Sequence, residues 1–230
     1  MGEKRVIVAI DGPAGAGKST LAKRIAQKLG FVYINSGAMY RAIALWALRL
    51  QVSLSDMHRL EQLAQAAQIT LEAGADRVFL NGEDVTDAIR GPEISDAASQ
   101  VSAVPGVRRA LLGLQRGIAE QTSVVMEGRD IGSVVFPQAQ VKIFLDADPA
   151  ERARRRALEL EENGRNTDVA AVADELQIRD ERDRQRLEAP LVQAPDAEFL
   201  DTTSLSLEQV ETEILRIVRA RTSNGKAAAG

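Results

Sequence analysis

With 230 residues, 45% hydrophobic and 27% charged, the chain is long enough for one sizeable α/β core with appendages and has an ordinary globular composition. A net charge of −4 excludes a general nucleic-acid surface, which needs an excess of Lys and Arg to displace counterions. The lack of cysteine excludes disulfides, thiolate nucleophiles and Cys-based zinc sites, and a lone histidine, His58, excludes His clusters.

In chain order, the apolar run Val6 to Ile10 predicts a buried strand. It does not read as a signal peptide, because Asp11 follows where a cleavage region needs small residues, and no apolar stretch approaches bilayer length. Gly2 lacks a Ser or Thr at position 6, so myristoylation is not expected either. A cytoplasmic chain is expected, with no membrane partner.

Directly behind the strand, Gly12-Pro13-Ala14-Gly15-Ala16-Gly17-Lys18-Ser19 is a complete G-x-x-x-x-G-K-[ST], and a helical pattern runs on from Lys18 to Leu29. Such a loop turns backbone N–H groups around a phosphate chain, Lys18 adds a point charge, and Ser19 offers a hydroxyl to Mg²⁺. Phe31 to Ile34 is a second strand. After it comes Asn35-Ser36-Gly37-Ala38-Met39-Tyr40-Arg41, the start of a helix expected over Ala38 to Leu50. Asn35 or Ser36 can cap its open donors, and Arg41, one turn in, can reach an anion seated there; taken alone, the segment reads first as an ordinary capped helix.

Ile69 to Leu71, Val78 to Leu80 and Asp84 to Val85 then alternate like strands, with Asn81-Gly82 as a type I′ turn, so a small antiparallel insertion is predicted at about 66 to 90. Helices follow at Val107 to Glu120, Pro149 to Glu162, Val169 to Leu187 and Leu207 to Arg221, and strands at Val124 to Met126, Val141 to Leu145 and Phe199 to Leu200. The βα alternation implies a parallel sheet. The patternless tail 222–230 is expected to be disordered.

Two further segments carry charge in telling places. Glu127-Gly128-Arg129-Asp130-Ile131-Gly132 follows a parallel strand, where residues at carboxyl ends face the ligand crevice. On the helix over 169–187, Arg179, Asp183 and Arg186 share one stripe, two guanidinium forks about one carboxylate. Read alone, that stripe reads first as a solvated face tied by i,i+4 pairs, and so does Glu151 to Arg156.

Taken together, GPAGAGKST, INSGAMYR, AASQVSAVPGVR, MEGRDIGSVVFP, VKIFLDAD and RDERDRQR…APL resemble the bacterial cytidylate kinases, from about residue 5 to 220. The resemblance implies a P-loop nucleoside monophosphate kinase fold: a five-stranded parallel sheet flanked by helices, with an antiparallel insertion in the acceptor-binding region and a helical lid. It implies one domain over 1–221, with core 1–35, 105–150 and 187–221, acceptor-binding region 36–104 and lid at about 151–168. The implied reaction moves the γ-phosphoryl of ATP to CMP or dCMP, with Mg²⁺. Gly12 to Ser19 and Thr20 would hold ATP. Lys18, Arg129 and Arg186 would act on the transferring group. Arg41, Arg129 and Arg186 resemble the acceptor-phosphate clamp, Arg179 and Asp183 the ribose contacts, and Ser99, Arg108 and Asp130 the cytosine contacts, with Ser36 and Tyr40 beside them. Arg152, Arg155 and Arg156, with the turn Glu161 to Arg165, resemble the lid. A monomer is expected. The rival readings are a P-loop kinase for UMP, AMP or shikimate, and a GTP-dependent switch, which would need an N-K-x-D segment that the chain lacks.

Overall fold

The protein is described from a computed structural model that covers residues 5–72, 77–162, 164 and 167–227. Strand β1 (Ile7–Asp11) runs into the phosphate loop and helix α1 (Lys18–Leu29). Strand β2 (Val32–Asn35) enters α2 (Ser36–Arg49), whose N-cap Asn35 accepts a hydrogen bond from Ala38 N at 3.1 Å. Helix α3 (Met57–Ala66) leads to the strands β3 (Ile69–Glu72), β4 (Arg77–Leu80) and β5 (Glu83–Asp84), and then to α4 (Pro92–Val101) and α5 (Pro105–Ala119). Strand β6 (Val124–Gly128), a single π-turn over Ile131–Val135, β7 (Val141–Asp146), α6 (Pro149–Glu162), α7 (Val169–Arg184), β8 (Glu198–Asp201) and α8 (Leu207–Ala227) complete the chain.

The main sheet has five parallel strands in the order β2-β6-β1-β7-β8, and the small sheet is β3-β4-β5, antiparallel. Alternation along the strands divides the core into two layers. Val8, Ile10 and Val125 pack with α1 and α8, whereas Ala9, Val124 and Met126 face the opposite cluster built on α2, α3, α4 and α5. The insertion is tied to that second layer by Ile69, Val78, Leu80 and Val85. Its turn has Asn81 at φ 52° and Gly82 at φ 84°, the paired positive φ values of a type I′ hairpin. A third cluster, Ala14 with Ala153, Ala157, Leu160, Val172 and Leu176, joins α6 and α7 to the phosphate loop.

Three differences from the sequence expectations are physical. The helix expected to run to Leu187 ends at Arg184, so Arg186 is not on it. The segment expected to be disordered from residue 222 continues α8 as far as Ala227; residues 228–230 lie outside the described residues. Helices α3 and α4 carry no expectation above, although α3 holds His58.

Gly12 fixes the loop against the sheet. Its φ is 147°, and a Cβ there would overlap the carbonyl oxygen of Leu145 on β7. Gly12→Ala is expected to lower stability by at least about 2 kcal/mol, against about 1 kcal/mol for Gly82→Ala at the open hairpin, read from urea midpoints at equal m-value.

Candidate active site

The carboxyl ends of β2 and β6 and the loop that follows β1 open on one cleft of about 610 Å³. A smaller hollow of about 270 Å³ behind β2, walled by Phe31, Tyr33 and Leu71, shares Asn35, Ala38 and Val78 with the cleft but none of its cations Lys18, Arg41, Arg129 and Arg179. The chemistry therefore lies in the cleft.

One wall is the phosphate loop. Gly15 and Gly17 hold φ of 76° and 84°, and no side chain caps α1, so the first N–H groups of that helix face the loop as an anion seat. Lys18 is buried at 5% exposure and donates from Nζ to Pro13 O at 2.5 Å. Ser19 lies exposed at the cleft, while Thr20 is exposed on α1 and does not line it. The loop is bolted from behind: Arg152 donates to Ala14 O at 3.0 Å and to Asp180 at 2.6 Å, and Asp180 accepts from Ala14 N at 3.4 Å.

The other wall comes from α2, α4, α5 and the segment after β6. Ser36 donates to Glu127 O at 2.7 Å, and Arg41 projects from the next turn of α2. Arg108 and Asp130 form a buried ion pair, with the Arg108 guanidinium 5.7 Å from the centre of the Tyr40 ring. Ser99 lies nearby on α4. Arg129 donates to Asp183 at 2.9 Å, and Arg186 pairs with the other oxygen of the same carboxylate from beyond the end of α7. The two forks about one carboxylate expected of the helix stripe are thus formed by Arg129 and Arg186, with Arg179 also in the cleft.

The lid arginines divide. Arg152 is held behind the loop, and Arg155 turns to Glu151 and to Thr202 O at 2.6 Å; only Arg156 lines the cleft, paired with Glu159 at 2.7 Å. Of the turn Glu161 to Arg165, Asn163 and Arg165 lie outside the described residues.

The electrostatics follow from crowding cations into a water-poor space. Burial, then the neighbouring Arg129, lowers the Lys18 pKa to about 7; burial and Arg129 bring Arg179 down to about 10. Burial also lowers Arg41. Burial would push Asp183 up, but Arg129, Arg186 and Arg179 outweigh it and hold its carboxyl below the usual range. Six buried side-chain polar atoms among the described residues have no hydrogen-bond partner in the protein, and four belong here: Arg41 Nε, Ser99 Oγ, Arg179 Nε and Arg186 Nε. Donors left over among cations suit a polyanion rich in acceptors.

Of the acids beneath the site, the sequence pattern gives Glu127 only as part of the charged segment after β6 and gives Asp11 no role. Asp11 is buried, its carboxylate accepting from Ile131 N at 2.8 Å and Gly132 N at 2.7 Å, and burial raises its pKa to about 7. Glu127 is buried and accepts from the Tyr33 hydroxyl at 2.9 Å. Their one sequence signal is position, each near the carboxyl end of a parallel strand. No cluster of three His, Cys, Asp or Glu able to hold a metal occurs among the described residues. The Ser19 hydroxyl at the cleft suits a Mg²⁺ carried mainly by phosphate oxygens and water.

A family model described as "Cytidylate kinase" matches residues 8–220. A "Cytidylate kinase" of Solibacter usitatus (strain Ellin6076) is 61% identical over 226 residues, covering 97% of each chain, and one of Desulfitobacterium hafniense (strain Y51) is 50% identical over 224 residues, again covering 97% of each. Among solved structures, a gluconokinase from Sinorhizobium meliloti 1021 aligns over 98% of both chains with a TM-score of 0.50 and 14% identity, a likeness of fold alone. No helix among the described residues is long and apolar enough to cross a membrane.

The Lys18 shift gives a sign that can be measured. With a pKa of about 7 in the protein, Lys18 is mostly neutral at pH 8, and a polyphosphate beside it restores the charge. Triphosphate binding at pH 8 is expected to take up close to one proton, read by calorimetry in buffers of different ionisation enthalpy, with the uptake absent in Lys18→Met.

Proposed function

The chain belongs to the cytidylate kinase family, and from that membership we propose that its cleft transfers the γ-phosphoryl group of ATP to CMP or dCMP, releasing ADP and the nucleoside diphosphate. The observation that carries the reading is the set of unpartnered donors on Arg41, Ser99, Arg179 and Arg186, gathered opposite the phosphate loop in one cleft.

In this reading an acceptor phosphate oxygen attacks the γ-phosphorus in line, and the bond from that phosphorus to the β–γ bridging oxygen breaks, leaving ADP. No general base is needed, because the acceptor phosphate is already largely ionised at neutral pH. The protein's task is to hold two polyanions together and to neutralise charge as it spreads over the transferring group. Gly12 to Ser19 hold the donor phosphates. Lys18, recharged by them, spans donor and transferring group. Arg41, Arg129 and Arg186 clamp the acceptor phosphate, with Asp183 keeping Arg129 and Arg186 in register. Mg²⁺, bound to the donor phosphates and Ser19, would supply further neutralisation of the triphosphate.

Asp130 and Arg108 read the base. Cytosine offers an N4 donor beside the N3 acceptor, which suits a carboxylate beside a guanidinium, whereas uracil would set O4 against the carboxylate. Ser99, Ser36 and Tyr40 line the same side, and Arg179 and Asp183 meet the ribose. Arg156 is the lid arginine that reaches the donor; Arg152 and Arg155 support the loop and the lid base. Residues 1–221 act as one kinase domain, with acceptor region 36–104 and lid at about 151–168, monomeric and cytoplasmic.

The test is ADP formation from ATP and Mg²⁺ with CMP, dCMP, UMP, AMP, GMP and shikimate in turn. CMP and dCMP should lead, and activity confined to another acceptor would refute the reading. Lys18→Ala should stay folded and lose at least about 100-fold in turnover. Arg129→Lys and Arg186→Lys should each lower kcat/KM for CMP by at least about 10-fold, since a point charge cannot replace a fork. Asp130→Ala should lose more on CMP than on UMP, narrowing their kcat/KM ratio; an unchanged ratio would remove Asp130 from base recognition.

A further inference from the structure

We infer that Asp11 is a positioning residue: its carboxylate fixes the segment carrying Arg129 and Asp130 against the phosphate loop, and so sets the acceptor side of the cleft relative to the donor side. The inference rests on the phosphoryl-transfer reading.

Asp11 is the last residue of β1 and is covalently joined to Gly12, the first residue of the loop; it is buried at 6% exposure. The parallel ladder between β1 and β6 ends at Asp11 opposite Gly128. Beyond that point the chain turns out of the sheet through Arg129 and Asp130 into the π-turn Ile131–Val135, and Asp130, its N-cap, makes no side-chain cap. The N–H groups of Ile131 and Gly132 therefore have neither a ladder partner nor a local cap, and leaving them unpaired would cost the full desolvation of buried donors. Asp11 satisfies both, Oδ1 accepting from Ile131 at 2.8 Å and Oδ2 from Gly132 at 2.7 Å.

That arrangement is a short rigid link. In sequence the phosphate loop and Asp130 are separated by the whole acceptor region; through Asp11 they are joined by one side chain and two hydrogen bonds. Gly132 leaves the space for it. A Cβ there would touch Asp11 Oδ2 at an ordinary 3.4 Å but crowd the Lys142 side chain at 3.2 Å, so any side chain at this position strains the backbone that the carboxylate holds. The residue must offer two acceptors. An amide of the same shape offers one acceptor and one NH₂ donor, which would face an N–H. Misplacement of reacting groups by about 1 Å is worth about 100-fold in rate, whereas binding of either nucleotide alone does not depend on the distance between the two sites.

Two variants test this from opposite sides of the link. Asp11→Asn keeps the shape and breaks one hydrogen bond; Gly132→Ala keeps the carboxylate and crowds the Gly132 backbone against the Lys142 side chain, displacing the N–H that donates to Oδ2. For each, active sites are counted by the stoichiometry of ATP binding, dissociation constants are measured for ATP alone and CMP alone, and turnover is expressed per counted site. Asp11→Asn is expected to lose about 30- to 100-fold in turnover per site with both dissociation constants within about 3-fold of the parent. Gly132→Ala should show the same split on a smaller scale, about 5- to 10-fold, and decides the matter if Asp11→Asn does not fold. Parental turnover per site in the folded variants overturns the inference, as does a turnover loss matched by equal weakening of nucleotide binding, which is general loss of structure. If the parent chain itself phosphorylates no nucleoside monophosphate, the functional reading fails and this inference with it; if the parent is active and the variants match it, only this inference fails.

Discussion

Like charges packed at close range are the constraint around which the molecule is organised. Lys18, Arg41, Arg129 and Arg179 share one cleft, and the pKa values of Lys18, Arg41 and Arg179 are lowered first by the loss of water around their charges and then by the neighbouring guanidinium groups. A surface could dissipate that repulsion into water. A cleft that must exclude water cannot, so the fold surrounds the cations with acids: Asp183 between Arg129 and Arg186, Asp130 against Arg108, and Asp180 against Arg152. These pairs are best understood as means of holding guanidinium forks in fixed directions, since buried pairs are weak contributors to net stability.

The sheet decides where that crowding occurs. Parallel strands end on the same edge, and here β1, β2 and β6 deliver Asp11, Asn35 and the Glu127–Asp130 segment to it, each followed by a loop or helix start. The acceptor side is then built outward by α2 on the sheet, α4 on α2 and α5 on α3, all joined in one apolar layer, while Arg41, Ser99 and Arg108 turn toward the cleft. Rigidity comes from capping and bolting: Asn35 caps α2, and Arg152 with Asp180 clasps the back of the phosphate loop.

The sequence was most readable where local chemistry and tertiary packing agree. Val6 to Ile10 has the β-branched run of a buried strand, Lys18 to Leu29 ends at Gly30 in the left-handed region, and Asn81-Gly82 can satisfy a type I′ turn without strain. Helix α4 went unread although Pro92 opens its first turn and Ile94, Ala97, Ala98 and Val101 recur at helical spacing; the stripe spans only two turns with two alanines at its centre, and the contact with α2 that buries it is tertiary. The arginines of α6 show another limit. Arg152, Arg155 and Arg156 are chemically alike in sequence, and only the position of Ala14, Asp180 and Thr202 determines that two of them turn inward as supports. Asp11 was hidden for the same reason: its partners are backbone donors 120 and 121 positions away.

The strand order also dictates a schedule of assembly. β1 lies at the centre of the sheet, but its neighbours are β6 and β7, in register as Ile7 with Val124 and Val8 with Val141. A ribosome releases the chain from its N-terminal side, so the phosphate loop emerges before either strand that will flank it. The carbonyl of Leu145 that shapes the turn at Gly12, and the backbone donors that hold Asp11, arrive only after the whole acceptor region has been made. The phosphate loop, made before the acceptor region, is thus among the last segments to acquire its shape, and the nascent chain must keep an apolar strand and a glycine loop unpaired until β6 and β7 have been made.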